Sequence, residues 1–165
     1  MGMRLGRLVS SAVAIAAVLA IAAPAQASCP AWWSLFRTIN QVRAAHGLRA
    51  VSVSSGLRSA AERHTRDMLW RNYFAHTSPT GSTLYHRVAT SGFVTYGAWW
   101  AGETLAWGSG IYGSPGAVVR AWLHSPEHRA ILLSPRFRLV GIGRAYGTFE
   151  GHPGAAVWTV DWGHR

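Results

Sequence analysis

The sequence predicts an α+β domain built in layers, with helices in its first part and strands in its last. Amphipathic helical periodicity covers residues 31–46 and resumes after a serine pair at Ser54-Ser55. The segments from Leu139 to Tyr146 and from Ala155 to Trp162 alternate in the manner of strands. Because helices and strands are not interleaved along the chain, the pattern favours layered α+β packing over a βαβ fold.

The first helix is predicted from apolar residues at positions i, i+3, i+4 and i+7, and Gly47 is a suitable stop. Ser54 or Ser55 can cap a second helix that runs to about Tyr73. Pro79-Thr80-Gly81 predicts a turn, and residues 82–90 predict a short helix that Gly92 ends.

Residues 92–114 are rich in glycine and aromatic residues, and we assign them no regular element. Ser114 caps a helix that begins with Pro115 and runs to about Leu123. Ser125-Pro126 begins another helix that ends near Leu133. Residues 147–154 then form the loop between the two strands.

The first 27 residues are typical of a signal peptide. Arg4 and Arg7 precede an apolar run from Val9 to Ala23, and Pro24-Ala25-Gln26-Ala27 supplies a small-x-small cleavage site. The apolar run is shorter than the roughly 20 residues that a spanning helix needs. We therefore expect a secreted protein cleaved after Ala27, with residues 28–165 as one domain; an uncleaved anchor is the alternative.

Charge and cysteine content narrow the function classes. The formal net charge is +10, every basic residue apart from histidine is arginine, and removal of Arg4 and Arg7 leaves +8. Such a chain is attracted to anionic lipid headgroups or wall polymers. The arginines form no run or recognised binding motif, so we do not expect a nucleic-acid partner. Cys29 is the single cysteine, which excludes an intrachain disulfide.

Three polar positions stand out in this mostly apolar chain. His76 lies between an aromatic pair and a Ser-Pro turn, Glu103 follows Gly102 in a Trp-rich stretch, and His128 lies in the first turn of a predicted helix. Each has an ordinary alternative: His76 can cap the second helix, Glu103 can be solvated, and His128 can be a surface residue. A buried Glu103 requires a nearby donor or cation.

Two histidines and a carboxylate with an open fourth position are a known zinc arrangement. Here they come from separate segments, and no HExxH spacing supports the metal. A serine or cysteine nucleophile is less well supported, since no Gly-x-Ser-x-Gly motif is present. We expect most of the other histidines to be surface or packing residues, and Glu127 complements the helix dipole.

Six short motifs occur in order. They are Asn40-x-x-Arg43-x-x-His46-Gly47-Leu48, Ala61-x-x-His64-x-x-Asp67-Met68, Phe74-x-His76-x-Ser78-Pro79-x-Gly81, Gly102-Glu103-Thr104-Leu105-Ala106, Trp122-x-x-Ser125-Pro126-x-His128-Arg129 and Trp158-Thr159. Together they resemble the CAP superfamily of cysteine-rich secretory proteins, antigen 5 and pathogenesis-related proteins, in its bacterial secreted branch. The resemblance spans about residues 32–163.

This resemblance implies an α-β-α sandwich with a central antiparallel sheet. It also implies a cleft lined by two histidines and up to two acidic residues, which in some members binds a divalent metal such as zinc. His76, Glu103 and His128 match the histidines and the first glutamate. Ser125 stands where eukaryotic members have the second glutamate, and Glu127 where bacterial members usually have glycine, so either position can supply the fourth cleft residue.

Three function hypotheses follow. The first is a secreted, monomeric binding module for a lipid or an anionic cell-envelope component, with a divalent cation in the cleft as a further ligand. The second is a metal-assisted hydrolase, peptidase-like or directed at the cell wall, in which Glu103 ligates or acts as base. The third is a structural envelope protein whose cleft groups only satisfy one another. The absence of a clear general base beside a complete ligand set favours binding.

Overall fold

A computed structural model describes residues 30–93 and 97–164. Helices cover both faces of a four-stranded sheet, which confirms the predicted α-β-α sandwich. The elements are α1 (Ala31–Ala45), β1 (Ser52–Val53), α2 (Ser55–Arg71), α3 (Leu84–Ala89), β2 (Trp100–Ser109), a 3₁₀ helix (Gly110–Gly113), α4 (Pro115–His124), α5 (Pro126–Leu132), β3 (Leu139–Phe149) and β4 (His152–His164).

The strand order is β1-β3-β4-β2, so β2 lies at one edge of the sheet. β2 and β3 both pair antiparallel with β4, and the two-residue β1 adds a parallel contact to β3. The register places Glu103 of β2 directly opposite Asp161 of β4. Since side chains alternate between the two faces of a strand, this register brings both carboxyl groups to the same face.

One face of the sheet packs against α1, α4 and α5 through a tryptophan-rich core. Trp122, Trp158 and Trp162 are almost completely buried there. Each indole N–H donates a hydrogen bond, to the Leu105 carbonyl, the Gly113 carbonyl and the Thr104 hydroxyl respectively. A buried tryptophan contributes large apolar area, and its N–H must find a partner. The Trp122 bond fixes α4 against the edge strand β2, and the other two bonds join β4 to the 3₁₀ helix and to β2.

The other face packs against α2, which approaches the backbone of β3 unusually closely. A Cβ atom at Gly141 would lie 1.9 Å from the Leu57 carbonyl carbon, and one at Gly143 would lie 2.4 Å from the Ala61 oxygen. Only glycine fits at either position. This close contact sets the height of α2 above the sheet and thereby positions the side chains that α2 presents to Glu103.

The helix predictions are confirmed, with Ser54 and Ser114 as side-chain caps that accept bonds from Leu57 and Ala117. Two predictions were wrong. Residues 100–109 form β2, although the segment was assigned no element, and most of the predicted 147–154 loop is strand, with the turn confined to Glu150 and Gly151.

The predicted signal peptide and Cys29 lie outside the described residues. None of the helices within 30–93 and 97–164 combines the length and apolar character needed to cross a membrane.

The glycine contact between α2 and β3 predicts an unequal response to alanine. Gly141→Ala forces a methyl group into the α2 backbone and is expected to prevent stable folding. Gly116→Ala in the first turn of α4 meets only Arg120, at 3.6 Å. This matched control is expected to hold or raise stability by up to about 1 kcal/mol. Urea unfolding of both variants measures the difference, and equal stability would contradict the proposed packing.

Candidate functional site

Glu103 is the centre of the candidate site, and it is only 4% exposed. It lies on β2 and faces α2 and α3. His76 Nδ1 lies 2.7 Å from Glu103 Oε1, and Arg87 Nη2 donates to Oε2 at 2.6 Å. Burial alone would favour the neutral acid, but the hydrogen bond from His76 and the charge of Arg87 outweigh it and lower the pKa of Glu103. The carboxylate is therefore charged and engaged at both oxygens.

Arg87 of α3 is the cation that Glu103 requires. Its side chain is 7% exposed, and its Nη1 donates to the Ser82 carbonyl at 2.8 Å. Guanidinium groups hold two directed bonds at once, which orients Arg87 between the turn before α3 and the β2 carboxylate. A buried ion pair of this kind is costly to break by removing one partner.

His76 is held by contacts of the segment that follows α2. Asn72 ends α2 in a left-handed conformation, and its side chain accepts a bond from the Glu150 N–H in the β3–β4 turn. The Tyr73 hydroxyl donates to Asp67, and the Ala75 carbonyl accepts from His64 Nε2 at 3.0 Å. The chain is thus held at Asn72, Tyr73 and Ala75 before it reaches His76. His76 bonds to Glu103 rather than capping α2.

His64 is a buried neighbour of this pair. Burial lowers the pKa of His64, with the Glu103 charge opposing it. Its Nε2 lies 3.9 Å from Glu103 Oε2, too far for a hydrogen bond. A neutral ring that donates from Nε2 to Ala75 explains both contacts. His64 is therefore a packing residue, as predicted, and its role is to anchor the His76 segment.

Asp161 is a second carboxyl group against Glu103, and it is fully buried. As a carboxylate it would find no hydrogen-bond donor among the described residues. Protonation would give Asp161 an O–H to donate to Glu103, which stands opposite it in the β2–β4 pairing. Burial first, and then the Glu103 charge, raise the pKa of Asp161 well above its usual range. We conclude that Asp161 carries the proton and Glu103 the charge.

His128 enters the site from the opposite face of the sheet, on α5. Its Nδ1 lies 2.8 Å from the Ser125 hydroxyl, and its ring stacks on Trp122 at 6.5 Å between centroids. Ser125 precedes α5 as predicted, yet its side chain bonds to the imidazole rather than capping the helix. Burial lowers the pKa of His128, and the nearby charge of His76 lowers it further. The ring is therefore neutral and fixed in orientation.

The two histidines lie close enough to interact electrostatically across the β2 edge. His76 is half-exposed, and its pKa is raised by the hydrogen bond to Glu103. Glu127 is exposed, and its charge acts to raise the pKa of both histidines. The predicted residues therefore fall into two bonded pairs, His76 with Glu103 and Ser125 with His128, with Glu127 at the rim.

A groove of about 300 Å³ adjoins His128 along β2. Its walls are mainly apolar and include Phe74, Leu105, Trp107 and Trp122. Phe74 and Trp107 both make edge-on contacts with Phe149, which fixes this wall. The site therefore combines the imidazole of His128 with an adjacent apolar surface.

The donor set fits a divalent metal only in part. Both Glu103 oxygens already accept N–H groups, so Glu103 fits the carboxylate that orients a ligating histidine. The Nε2 atoms of His76 and His128 have no hydrogen-bond partner in the described part of the chain. Within that part, no three His, Cys, Asp or Glu side chains form a group that could hold a metal. Each of these two imidazoles therefore keeps one ring nitrogen for a ligand.

The family model described as "CAP: Cysteine-rich secretory protein family" matches residues 36–162, which include every site residue named above. The chain belongs to this family. Two Bacillus subtilis relatives are similar to this CAP protein: the uncharacterized protein YkwD at 34% identity and the uncharacterized membrane protein YlbC at 33%. Each match covers 104 residues, or 63% of this chain, but only 38% of YkwD and 28% of YlbC.

Solved structures show the same fold. An extracellular protein containing an SCP domain from Bacillus anthracis superposes with a TM-score of 0.67 at 26% identity, over 81% of this chain and 40% of that one. An outer surface protein from Borrelia burgdorferi also gives 0.67, at 22% identity, over 81% of this chain and 91% of that one. This CAP protein thus shares its architecture with bacterial extracellular and outer-surface proteins.

Sequence reasoning missed Arg87 and Asp161. Burial of Glu103 called for a cation, but sixteen arginines were available and none was adjacent in sequence. The signal for Asp161 was its place between Val160 and Trp162 in a strand of apolar residues. Its approach to Glu103 depends on the β2–β4 register, which requires β2 to be recognised as a strand.

The proton on Asp161 predicts a pH-dependent stability. Because the pKa of Asp161 is raised in the folded state above its usual 3.8, folding binds a proton above pH 4. The free energy of unfolding therefore loses this contribution as pH rises from about 4. Asp161→Asn keeps a donor to Glu103 without needing a proton. We expect its stability relative to wild type to increase between pH 4.5 and 7.5, measured by urea unfolding.

Subtracting the unfolding free energy of the wild type from that of Asp161→Asn cancels the titration of every group that the two proteins share. A stability difference that stays constant over this pH range would show that Asp161 does not hold the proton.

Proposed function

We propose that this CAP protein is a secreted binding module, and that the cleft at the β2 edge takes an amphiphilic molecule of the cell envelope. The observation that carries the proposal is the apolar groove lined by the fixed imidazole of His128, with the charge of His76 near enough to lower the pKa of His128. The groove would receive the apolar part of the ligand, and His76 and His128 would contact its polar part. Ligand sites commonly combine an apolar lining with a few oriented polar groups.

Charge and exposure support the envelope as the source. Without Arg4 and Arg7 of the expected signal peptide the net charge is +8, and all of its positive charge comes from arginine, which favours anionic surfaces. Ile111 and Tyr112 at the 3₁₀ helix are each at least three-quarters exposed, as expected for residues that meet an apolar or interfacial partner. The Bacillus anthracis and Borrelia burgdorferi proteins are extracellular and outer-surface proteins. We infer the same location for this chain.

A divalent cation, zinc being the best match for imidazole, would be an additional ligand of the same cleft. His76 and His128 would hold it through Nε2, with Glu103 fixing the ring of His76. A zinc site with protein ligands at only two positions takes its remaining donors from water or from the bound molecule. Metal and organic ligand would then bind cooperatively.

The contacts of Glu103 weigh against the metal-assisted hydrolase. A general base must be free to accept a proton from water. Both oxygens of Glu103 are occupied by N–H donors, and Arg87 stabilises the charged form. His128 and Glu127 remain as candidate bases, but neither is oriented by a further carboxylate in the described residues. Binding is therefore the function that the geometry supports best.

The cleft hypothesis predicts which variants lose ligand. The full chain would be expressed with secretion and the exported protein titrated with lysophosphatidylglycerol and with a muropeptide, each with and without zinc. Native mass spectrometry and tryptophan fluorescence report binding. We expect His128→Ala and Trp107→Ala to weaken binding at least about tenfold. His46→Ala is the control, because His46 is an exposed histidine at the end of α1 whose ring bonds to Val42.

Zinc alone is expected to bind to the wild type and to His46→Ala. Zinc binding is expected to be lost in His76→Ala and in His128→Ala. Absence of binding by all three probes to the folded wild type would contradict the proposal. A fall in stability in the histidine variants, without any change in binding, would favour the structural hypothesis instead.

A further inference from the structure

A second cavity, of about 280 Å³, lies between α2, the turn at residues 78–82 and α3. We name it the α2–α3 pocket. Every residue that lines it is polar or charged, in contrast to the apolar groove beside His128. Arg87 lines this pocket and also holds Glu103, so the pocket and the cleft share one ion pair.

Two guanidinium groups give the pocket its positive character. Arg87 is 6% exposed and is fixed by its bonds to Ser82 and Glu103. Arg63 lies at the exposed rim, where its Nη1 donates to the Ser59 hydroxyl at 2.7 Å and its Nη2 to the Arg87 carbonyl at 3.3 Å. Both guanidinium groups are therefore held in place, so less side-chain conformational entropy is lost when a ligand binds.

Hydroxyl groups complete the lining. The Ser78 and Thr80 hydroxyls lie 2.8 Å apart, and Ser78 Oγ also accepts the Ser82 N–H at 3.1 Å. Of this pair, one O–H is left to donate elsewhere. The Ser82 hydroxyl has no hydrogen-bond partner among the described residues. At least two hydroxyl donors thus stand beside the arginines.

The charges around the pocket leave a net positive centre. Asp67 lines the pocket, but its carboxylate already accepts Arg71 Nε at 2.8 Å and the Tyr73 hydroxyl at 2.6 Å. Glu103 compensates Arg87. No carboxylate of the described residues lies within 4.0 Å of the Arg63 guanidinium, so its charge remains available.

We propose that the α2–α3 pocket binds a phosphate group. Arg63 and the Ser82 hydroxyl would contact the phosphate, and the buried Arg87 guanidinium would form the floor of the pocket. Guanidinium and hydroxyl donors match the charge and the geometry of tetrahedral oxyanions. The phosphate would come from a soluble ion or ester, from a phosphodiester polymer or from a lipid headgroup. This site goes beyond the proposed cleft and requires neither His76 nor His128.

The test uses full-chain protein exported from the expression host and three probes. These are inorganic phosphate, glycerophosphoglycerol as a diester, and vesicles of phosphatidylcholine with phosphatidylglycerol. NMR titration of backbone amides and of arginine Nε–H signals follows the two soluble probes at constant ionic strength set with chloride. Co-sedimentation follows the vesicles. We expect saturable shifts at Ser82 and Arg63 with a Kd near the millimolar range or tighter.

Arg63→Gln and Ser82→Ala are expected to weaken phosphate binding at least tenfold. Arg66→Gln is the matched control, since it removes the same charge from α2 at an exposed residue outside the pocket. His128→Ala should leave phosphate binding unchanged, because the His128 ring contacts Ser125 and Trp122 rather than Glu103 or Arg87. This variant separates the proposal from the cleft. The NMR spectra show at the same time whether each variant is folded.

The probes distinguish the sources. Binding of phosphate without the diester supports a soluble ion or monoester, and binding of the diester or of vesicles, lost in Arg63→Gln, supports a polymer or headgroup. The proposal would be overturned if neither soluble probe gave a saturable shift at concentrations up to about 10 mM and the protein did not bind the vesicles. An equal loss in Arg63→Gln and Arg66→Gln would overturn it as well, because binding would then follow net charge alone.

Discussion

The ion pair between Glu103 and Arg87 is the interaction on which the arrangement of the site depends. A carboxylate buried on β2 is tolerated only with a compensating charge and with donors at both oxygens. Arg87 supplies the charge and connects α3 to the sheet, and His76 donates a hydrogen bond to the second oxygen of Glu103. Asp161 can lie against the same carboxylate because it keeps its proton. The orientation of His76 is thus a consequence of burying one negative charge.

The glycine and tryptophan contacts make this burial possible from the two faces of the sheet. Gly141 and Gly143 allow α2 to approach β3, which places His64 beside the carbonyl that anchors the His76 segment. On the opposite face, Trp122 bonds to the carbonyl of Leu105 and supports the ring of His128. The two histidines therefore come from different layers, and the charge of His76 reaches far enough to lower the pKa of His128.

Much of the layering could be predicted from local signals, because helix caps and apolar periodicity act over a few residues. Ser54 and Ser114 are examples. The local sequence around His76, Glu103 and His128 singled these residues out, and the structure places them in two hydrogen-bonded pairs, His76 with Glu103 and His128 with Ser125. The strand β2 was missed because its sequence, rich in glycine and tryptophan, shows no clear polar alternation. Without β2 there was no register, and without register the approach of Asp161 to Glu103 could not be foreseen. Arg87 is sixteen residues from its partner, and only the tertiary structure selects it among the arginines.

A double-mutant cycle on Arg87→Met and Glu103→Gln tests this account most directly. It is best measured by urea unfolding in the Asp161→Asn background, because Asp161 could otherwise take over the charge of Glu103. Each single replacement is expected to cost about 3–5 kcal/mol, since it leaves one buried charge unpaired. The double replacement should cost much less than the sum of the two. Additive effects of less than about 1 kcal/mol each, as for an exposed pair, would contradict the central role of this ion pair.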